Sequence, residues 1–181
     1  MSEEVEIVIR PAQPQDAAVL GEIRVDAYIR AGLTTMDSPY LPNIRDVASE
    51  IDDPNTYVFA ATVDGVPVGT MTMVGSASDK AMVARDGEWE ARLTCVDENF
   101  SRMGVGWRLM IRLIVQAVEL EIPAVVGCIA PFNKAMANGL EQAGATRTPE
   151  RDFASPDGYT LHTYVMDRAR MKEIHDLATA N

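Results

Sequence analysis

The sequence predicts an α/β fold in which helices cover both faces of a mixed β-sheet. Two strand-like runs meet at Asp64-Gly65, a strong signal for an antiparallel hairpin. Farther along, the run Trp89–Val96 is followed by a long apolar helical pattern and then by the short apolar run "AVVGCIA". A strand–helix–strand unit of this kind joins two parallel strands. Antiparallel and parallel pairs in one chain define a mixed sheet.

The N-terminal third predicts one strand and two helices. In "EVEIVIRPA", Val5, Ile7 and Ile9 occupy alternate positions and share one face of a strand. Apolar residues recur at helical spacing over 14–31, which predicts the first helix. A proline-marked loop, "LTTMDSPYLP", separates it from a shorter helix predicted over 43–51.

The C-terminal half adds the elements that follow the hairpin. After the solvated loop "SASDKAMVARDG", the pattern predicts helices over 104–120 and 133–143, a strand over 161–166 and a polar helix from Arg168. A further strand is expected within "ATRTPERDF". The element order is β-α-α-β-β-β-α-β-α-β.

Length and composition fit one domain over 1–181, with its core at about 5–166 and a helical extension at 167–181. The net charge of −11 and the lack of a basic cluster exclude a nucleic-acid partner. No apolar run is long enough for a membrane span, and the start lacks the segments of a signal peptide. We therefore expect a cytoplasmic protein without a membrane partner. The two cysteines and two histidines lack metal-ligand spacing, so no metal site is predicted.

The stretch "TCVDENFSRMGVGWRLM" places two glycines where the long helix is predicted to begin. Backbone N–H groups at a helix N-terminus have no internal partner, and the helix dipole is positive there. Gly104 and Gly106 let an anion approach these groups, which predicts a cradle for a diphosphate with Arg102 at its edge. The alternative is that the glycines only allow the helix and the strand to pack closely.

Other nucleotide-binding motifs fit this stretch less well. A dinucleotide fingerprint needs a third glycine where the chain has Leu109, and a P-loop needs Gly-Lys-Ser/Thr, which is absent. A doubly wound nucleotide enzyme remains an alternative, and it predicts that NAD or ATP, rather than coenzyme A, stabilises the protein against heat.

Two segments resemble the GCN5-related N-acetyltransferase (GNAT) family. "LTCVDENFSRMGVGWRLM" is similar to the family's acyl-CoA loop, Arg/Gln-x-x-Gly-x-Gly/Ala. "APFNKAMANGLEQAGA" is similar to its Asn-x-x-Ala…Tyr-Glu-x-x-Gly-Phe helix, with Asn133, Glu141 and Gly144 matching. The element order is also the family's. The resemblance implies a GNAT-like acyl-CoA N-acyltransferase fold, in which two parallel strands of the central mixed sheet splay apart and hold coenzyme A between them.

The resemblance also implies residues that bind acetyl-CoA as the co-substrate. Backbone groups near Thr94, Cys95 and Val96 would pair with the pantetheine arm, and Asn133 would lie near the pantetheine or the thioester. The diphosphate would be held by backbone N–H groups of Arg102, Met103, Gly104, Val105, Gly106 and Trp107. The chain departs from the family at Ser101, usually Arg or Gln, and at Leu140, where many members have the tyrosine that protonates the leaving thiolate.

Acyl transfer to an amine needs orientation of the two reactants, polarisation of the thioester carbonyl and removal of a proton from the amine. A backbone N–H near Val96 is the predicted polarising donor. Strand alternation puts Glu88 and Glu90 on one face with Arg92, Thr94 and Val96. Glu90 is the predicted general base, followed by Glu88. The alternative is that both are solvated charges with Arg92 as their ionic partner.

Candidates for a general acid lie on or beside the last strand. They are Tyr159, His162 and Tyr164, of which Tyr164 is the predicted catalytic residue, although each also suits ordinary packing in a strand. A thiolate also leaves without an acid. Cys95 lies where the thioester is expected, but an acyl-cysteine needs a lowered pKa, so a small buried hydrophobe is the preferred interpretation.

The predicted function is transfer of an acetyl group from acetyl-CoA to a primary amine of a small molecule, peptide or protein, in a ternary complex. The segments "LTTMDSPYLPNIRD" and "RTPERDFASPDGYT" are expected to form the acceptor site, where Asp37, Asp46, Asp152 and Asp157 would meet a cationic amine. The alternative, favoured by Leu140, is a regulatory module of the same fold that binds acyl-CoA without turnover. Because family members are often dimers, a homodimer is also expected.

Overall fold

The structure is a computed structural model that describes residues 5–180. Within these residues the β-strands are β1 (Ile7–Pro11), β2 (Thr56–Val63), β3 (Val66–Gly75), β4 (Trp89–Val96), β5 (Ala124–Ile129), β6 (Thr146–Arg147), β7 (Phe153–Ala154) and β8 (Thr160–Asp167). The α-helices are α1 (Ala17–Arg30), α2 (Leu41–Arg45), α3 (Ala48–Ile51), α4 (Val105–Glu119), α5 (Lys134–Gln142) and α6 (Arg168–Thr179). None of the helices in this described range combines the length and apolar character needed to cross a bilayer.

The strands form the predicted mixed sheet. They are neighbours in the order β1-β2-β3-β4-β5-β8-β6, and β7 pairs with β8. β1 with β2, and β8 with β5, β6 and β7, are antiparallel, whereas β4 and β5 are parallel. The parallel register runs from Trp89 opposite Val125 to Ala91 opposite Gly127. The expected splay of β4 and β5 beyond these pairs stays a prediction.

The hairpin between β2 and β3 has the geometry that its two turn residues predict. Asp64 and Gly65 both have positive φ, 50° and 79°. Two consecutive left-handed residues match the right-handed twist of the flanking strands in a two-residue hairpin.

The described chain forms two compact units. The first extends to Thr72 and resumes over Leu93–Arg112, and the second comprises Met73–Arg92 and the chain from Leu113 onward. The single domain predicted over 1–181 stays a prediction.

In the first unit, helices lie on both faces of β3. Thr72 Oγ1 accepts a hydrogen bond from Arg24 on α1 and donates one to Glu50 on α3. Gly69 faces the opposite way, toward α4, and a Cβ there would lie 3.0 Å from Val105 Cγ1. One buried cluster joins α1 to the sheet through Leu20, Ile23, Val47, Val58, Ala60 and Cys95.

A buried ion pair also lies in the first unit. Arg24 is fully buried, and its Nη2 donates to Glu50 Oε2 at 2.7 Å and to Thr72 Oγ1 at 2.6 Å. Its Nε has no hydrogen-bond partner in the described structure. Arg24 is four positions from Leu20, so the helical periodicity places this cation on the apolar face of α1.

In the second unit, Gly144 allows the C-terminal helix α6 to approach the end of α5 closely. Gly144 has φ of 92°, and a Cβ there would lie 2.6 Å from Arg170 Nε, which donates to the Ala143 carbonyl at 2.7 Å. α6 buries Met171 and Ile174. The motif glycine therefore leaves room for Arg170, whose hydrogen bond joins the helical extension to the end of α5.

Two predicted elements differ in detail from the structure. The helix predicted over 43–51 is two short helices, because Asp46 leaves the helical conformation at the end of α2. Its carboxylate accepts from the Ser49 N–H at 3.1 Å and the Ser49 hydroxyl at 2.6 Å in the first turn of α3. The strand expected within "ATRTPERDF" is divided into β6 and β7 by a 3₁₀ turn at Pro149–Arg151.

Candidate active site

The backbone of β4 changes conformation in the middle of the strand. Leu93 has φ of 54°, in the left-handed region that a branched side chain rarely adopts. Buried positions along β4 consequently shift from even-numbered Glu90 to odd-numbered Leu93 and Cys95. The predicted alternation of Glu88, Glu90, Arg92, Thr94 and Val96 on one face is therefore wrong beyond Arg92. Strain of this kind is concentrated at functional sites.

The loop after β4 is held by its own polar groups. The Asp97 carboxylate accepts from the backbone N–H of Asn99 at 2.9 Å, and the Asp97 N–H donates to the Val68 carbonyl at 2.8 Å. The Met103 N–H donates to the Phe100 carbonyl at 3.2 Å. The loop then enters α4 through Gly104, whose φ of 74° is accessible to glycine at little cost.

The start of α4 presents backbone donors that have no acceptor among the described residues. They are the N–H groups of Arg102, Gly104, Val105, Gly106 and Trp107. A Cβ built on Gly104 or Gly106 meets no atom of residues 5–180 within 4 Å, so the space beside both residues is open. Free donors, open space and the positive end of the helix dipole together fit a diphosphate.

The side chains around these donors are exposed. Arg102 and Met103 are exposed, and the Trp107 side chain is 54% exposed. Val105 is buried and anchors the first turn of α4. Of the six predicted diphosphate residues, Met103 alone already uses its N–H within the loop.

Among the predicted pantetheine residues, Thr94 and Val96 are half-buried, and the Val96 carbonyl accepts from Arg30 Nη2 at 3.2 Å. Cys95 is 3% exposed and packs among apolar side chains. Burial raises the pKa of the Cys95 thiol to about 12. Such a thiol is protonated at neutral pH, which disfavours an acyl-cysteine.

In the second unit, Glu90 is 3% exposed, and its carboxylate is saturated with hydrogen bonds. Oε2 accepts from the backbone N–H groups of Met82, Val83 and Ala84 at 2.9, 2.8 and 3.1 Å. Oε1 accepts from Met82 N–H at 3.1 Å and from Arg92 Nη1 at 3.4 Å. Glu90 is therefore not a solvated charge at a strand end. Its role as a general base stays a prediction.

Glu88 is paired with a residue that the sequence patterns did not single out. Arg151 contacts both Glu88 oxygens, Nη1 to Oε1 at 3.1 Å and Nη2 to Oε2 at 2.7 Å. Burial opposes ionisation of Glu88, but the hydrogen bonds from Arg151 and from the Arg85 N–H outweigh it, so the pKa of Glu88 is lowered. Glu88 is thus ionised at neutral pH but is a weaker base than an ordinary glutamate.

Tyr164 and Asn133 also lie in the second unit. Tyr164 is buried and its hydroxyl donates to Glu141 Oε1 at 3.2 Å. Burial and the Glu141 carboxylate raise the pKa of Tyr164, which therefore keeps its proton at neutral pH. Asn133 caps α5, accepting from the Met136 N–H at 3.3 Å, and Leu140 is half-buried on the same helix.

Asp37, Asp46 and Asp152, three of the acidic residues expected to meet a cationic amine, form hydrogen bonds with nearby side chains. Asp37 accepts from the Thr35 hydroxyl, and Asp46 from Ser49. Asp152 forms a two-point ion pair with Arg147 and accepts from the Thr163 N–H at 2.9 Å. These carboxylates therefore stabilise the conformation of their loops in the absence of an acceptor.

The sequence patterns gave no sign of the contacts made by Arg151, because its partners lie far along the chain. Arg24 did carry a signal, since a cation on the apolar face of a helix implies a buried partner.

The chain belongs to the acetyltransferase (GNAT) family, whose model matches residues 20–144. The matched span includes β4, the loop with its free donors, and α5. No curated protein matches the chain.

Solved structures show the same fold at low sequence identity. FeeM, an N-acyl amino acid synthase from uncultured soil microbes, is 14% identical with a TM-score of 0.70 over 98% of this chain and 99% of its own. The PaiA N-acetyltransferase from Thermoplasma acidophilum, in complex with coenzyme A, is 11% identical with a TM-score of 0.68 over 87% and 98%. YncA from Salmonella typhimurium, solved with its cofactor acetyl-CoA, is 21% identical with a TM-score of 0.66 over 89% and 93%.

Proposed function

We propose that this protein transfers an acetyl group from acetyl-CoA to a primary amine of a small molecule, peptide or protein by direct attack in a ternary complex. The observation that carries the proposal is the set of free backbone N–H groups at the start of α4, because such a set suits a diphosphate. Family membership supports acyl transfer, and relatives solved with coenzyme A and acetyl-CoA support the donor.

The residues of the first unit would bind and orient the donor. The N–H groups of Arg102 and of the first turn of α4 would hold the diphosphate, and the Arg102 side chain would add a positive charge in a protein of net charge −11. Backbone groups of Thr94 and Val96 would pair with the pantetheine arm. When bound, acetyl-CoA supplies the activated acyl carbon, whose bond to sulfur breaks as its bond to the amine nitrogen forms.

The residues of the second unit would serve proton transfer and, through Asn133, contact the pantetheine or the thioester of the donor. Tyr164 holds its proton at neutral pH, as a general acid must. Asn133 retains its amide N–H₂ for a ligand, because only its oxygen is used in capping α5. The ion-paired Glu88 would accept the proton of the amine, directly or through water, because both oxygens of Glu90 already accept hydrogen bonds.

The test combines acetyl-CoA with a panel of primary amines: an amino acid amide, an aliphatic polyamine and a lysine-containing peptide. A thiol reagent reports release of coenzyme A, and mass spectrometry reports the acetylated amine. We expect thiol release that depends on both acetyl-CoA and one class of amine.

The same experiment separates the alternatives. Half-buried Leu140 supplies no proton where many relatives have a tyrosine, which favours a regulatory module. Tight binding of acetyl-CoA without thiol release across the panel would support that module. Thermal stabilisation by NAD or ATP, with none from coenzyme A, would support a doubly wound nucleotide enzyme.

A further inference from the structure

Two side chains at the start of β4, Glu90 and Arg92, hold one segment of the loop between β3 and β4, residues 80–84. Glu90 accepts from the N–H groups of Met82, Val83 and Ala84. Arg92 Nη1 donates to the Lys80 carbonyl at 2.8 Å. Glu88, two positions before Glu90, accepts from the Arg85 N–H at 2.8 Å, just beyond the segment. The loop predicted to be solvated is therefore bound along its backbone by charged side chains.

A fourth charged residue joins this segment to the turn between β6 and β7. Arg151 Nη2 donates to the Val83 carbonyl at 2.7 Å, and the same guanidinium pairs with Glu88. The Arg151 and Glu88 side chains are mostly buried, 7% and 15% exposed. The Arg151 carbonyl accepts from the Thr163 hydroxyl at 2.8 Å, which ties the turn to β8.

We propose that Glu90 is a positioning residue for the acceptor amine, because its buried carboxylate fixes residues 80–84 against the turn that carries Arg151. The inference rests on the proposed function, since Arg151 lies in "RTPERDFASPDGYT", one of the two segments predicted to bind the acceptor. Glu90 thus acts through the loop and does not remove the proton itself.

The geometry of the carboxylate supports positioning over proton transfer. A general base needs an oxygen within reach of the amine or of a water molecule. Both Glu90 oxygens already accept hydrogen bonds, and the side chain is almost entirely buried.

Two substitutions separate the roles. E90Q keeps one carbonyl oxygen that can accept from the N–H groups of residues 82–84, but it has no basicity. E90A removes the hydrogen-bond acceptor as well as the basicity. Steady-state kinetics with the best amine of the panel gives kcat and KM against pH, and amide exchange by NMR gives the protection of residues 82–84. E173Q, on an exposed carboxylate of α6, is the matched control.

For E90A we expect amides 82–84 to exchange about tenfold faster or more and the acceptor KM to rise by a similar factor, because hydrogen bonds to a charged group are lost. Its affinity for coenzyme A and its kcat–pH profile should not change. E90Q should restore most of the amide protection and raise the acceptor KM by at most about threefold. E173Q should match the wild type in all measurements.

Two results would overturn the inference. One is an equal loss of kcat in E90Q and E90A together with loss of the ascending limb of the pH profile, which would identify Glu90 as the base. The other is an active wild type whose acceptor KM or amide exchange is unaffected by E90A. A wild type that acetylates no amine would instead overturn both the proposed function and the positioning role. Faster amide exchange in E90A would then still show that Glu90 holds residues 82–84 in place.

Discussion

Arg151 and Glu88, 63 positions apart in the chain, form a two-point ion pair with N–O distances of 2.7 and 3.1 Å. The planar guanidinium matches both carboxylate oxygens, which gives the pair direction as well as charge attraction. Since Arg151 Nη2 also donates to the Val83 carbonyl, one side chain joins the β6–β7 turn to two points of the β3–β4 loop, Val83 and Glu88, within the second unit.

The Arg151–Glu88 ion pair predicts that part of the folded protein's stability is lost at acidic pH. The pKa of Glu88 is lowered in the folded protein, so its contribution to stability is present above the pKa of an unfolded glutamate and is lost as the pH falls through the folded value. We expect Glu88→Gln to lower the free energy of unfolding at pH 7 and the difference from wild type to shrink on acidification. Urea denaturation across a pH series measures this. Glu98→Gln, at an exposed carboxylate, is the control, and an equal pH dependence in all three proteins would refute the prediction.

The left-handed residue at the start of α4 predicts a loss of donor binding. Gly104→Ala should weaken coenzyme A binding by about tenfold, because alanine at positive φ costs roughly 1–3 kcal/mol or shifts the adjacent N–H groups. Gly106→Ala should stay within about twofold, since φ there is ordinary and the family's loop takes either Gly or Ala at this position. Calorimetric titration gives both affinities. Equal effects of the two substitutions would show that the left-handed backbone at Gly104 does not determine the affinity for coenzyme A.

The buried thiol predicts that no covalent acyl-enzyme forms on Cys95. With a pKa of about 12, this thiol should resist alkylation in the folded protein. Cys95→Ala should retain acetyl transfer within about threefold and lose roughly 1 kcal/mol of stability from the small cavity. Intact mass spectrometry after incubation with acetyl-CoA checks the first point. An acetyl adduct on Cys95, together with an inactive Cys95→Ala protein, would contradict the prediction that no acyl-enzyme forms there.

The buried ion pair of Arg24 and Glu50 predicts that substitutions at the two positions have strongly non-additive effects on the free energy of unfolding. Glu50→Leu leaves Arg24 charged and buried, which should cost about 3–5 kcal/mol of stability. The double variant Arg24→Met with Glu50→Leu should be much less destabilised than the sum of its single changes. Denaturant unfolding of the four proteins tests the coupling, and strictly additive losses would argue against it.

Several features of the fold were predictable because the signals are local. Asp64-Gly65 specifies its own turn, and the apolar period of α4 specifies both the helix and the glycines that precede it. The helix predicted over 104–120 begins one residue later, at Val105, because Gly104 has left-handed backbone geometry.

The features that the sequence did not predict depend on distant partners or on single dihedral angles. Alternation assumes a uniform strand, so one left-handed residue, Leu93, reversed the expected facing of Thr94 and Val96. Glu90 resembled a base because acidic residues near an active-site strand often are. Its actual bonds go to a loop that also accepts a hydrogen bond from Arg151, a residue that no local pattern connects to β4.

The most direct test of donor binding at the start of α4 is amide NMR during titration with coenzyme A. We expect the N–H resonances of Arg102, Gly104, Val105, Gly106 and Trp107 to shift downfield on binding, as new hydrogen bonds form to the diphosphate, and pantetheine, which lacks the diphosphate, to leave them in place. Saturable binding of coenzyme A with no change at these five amides would contradict the assignment.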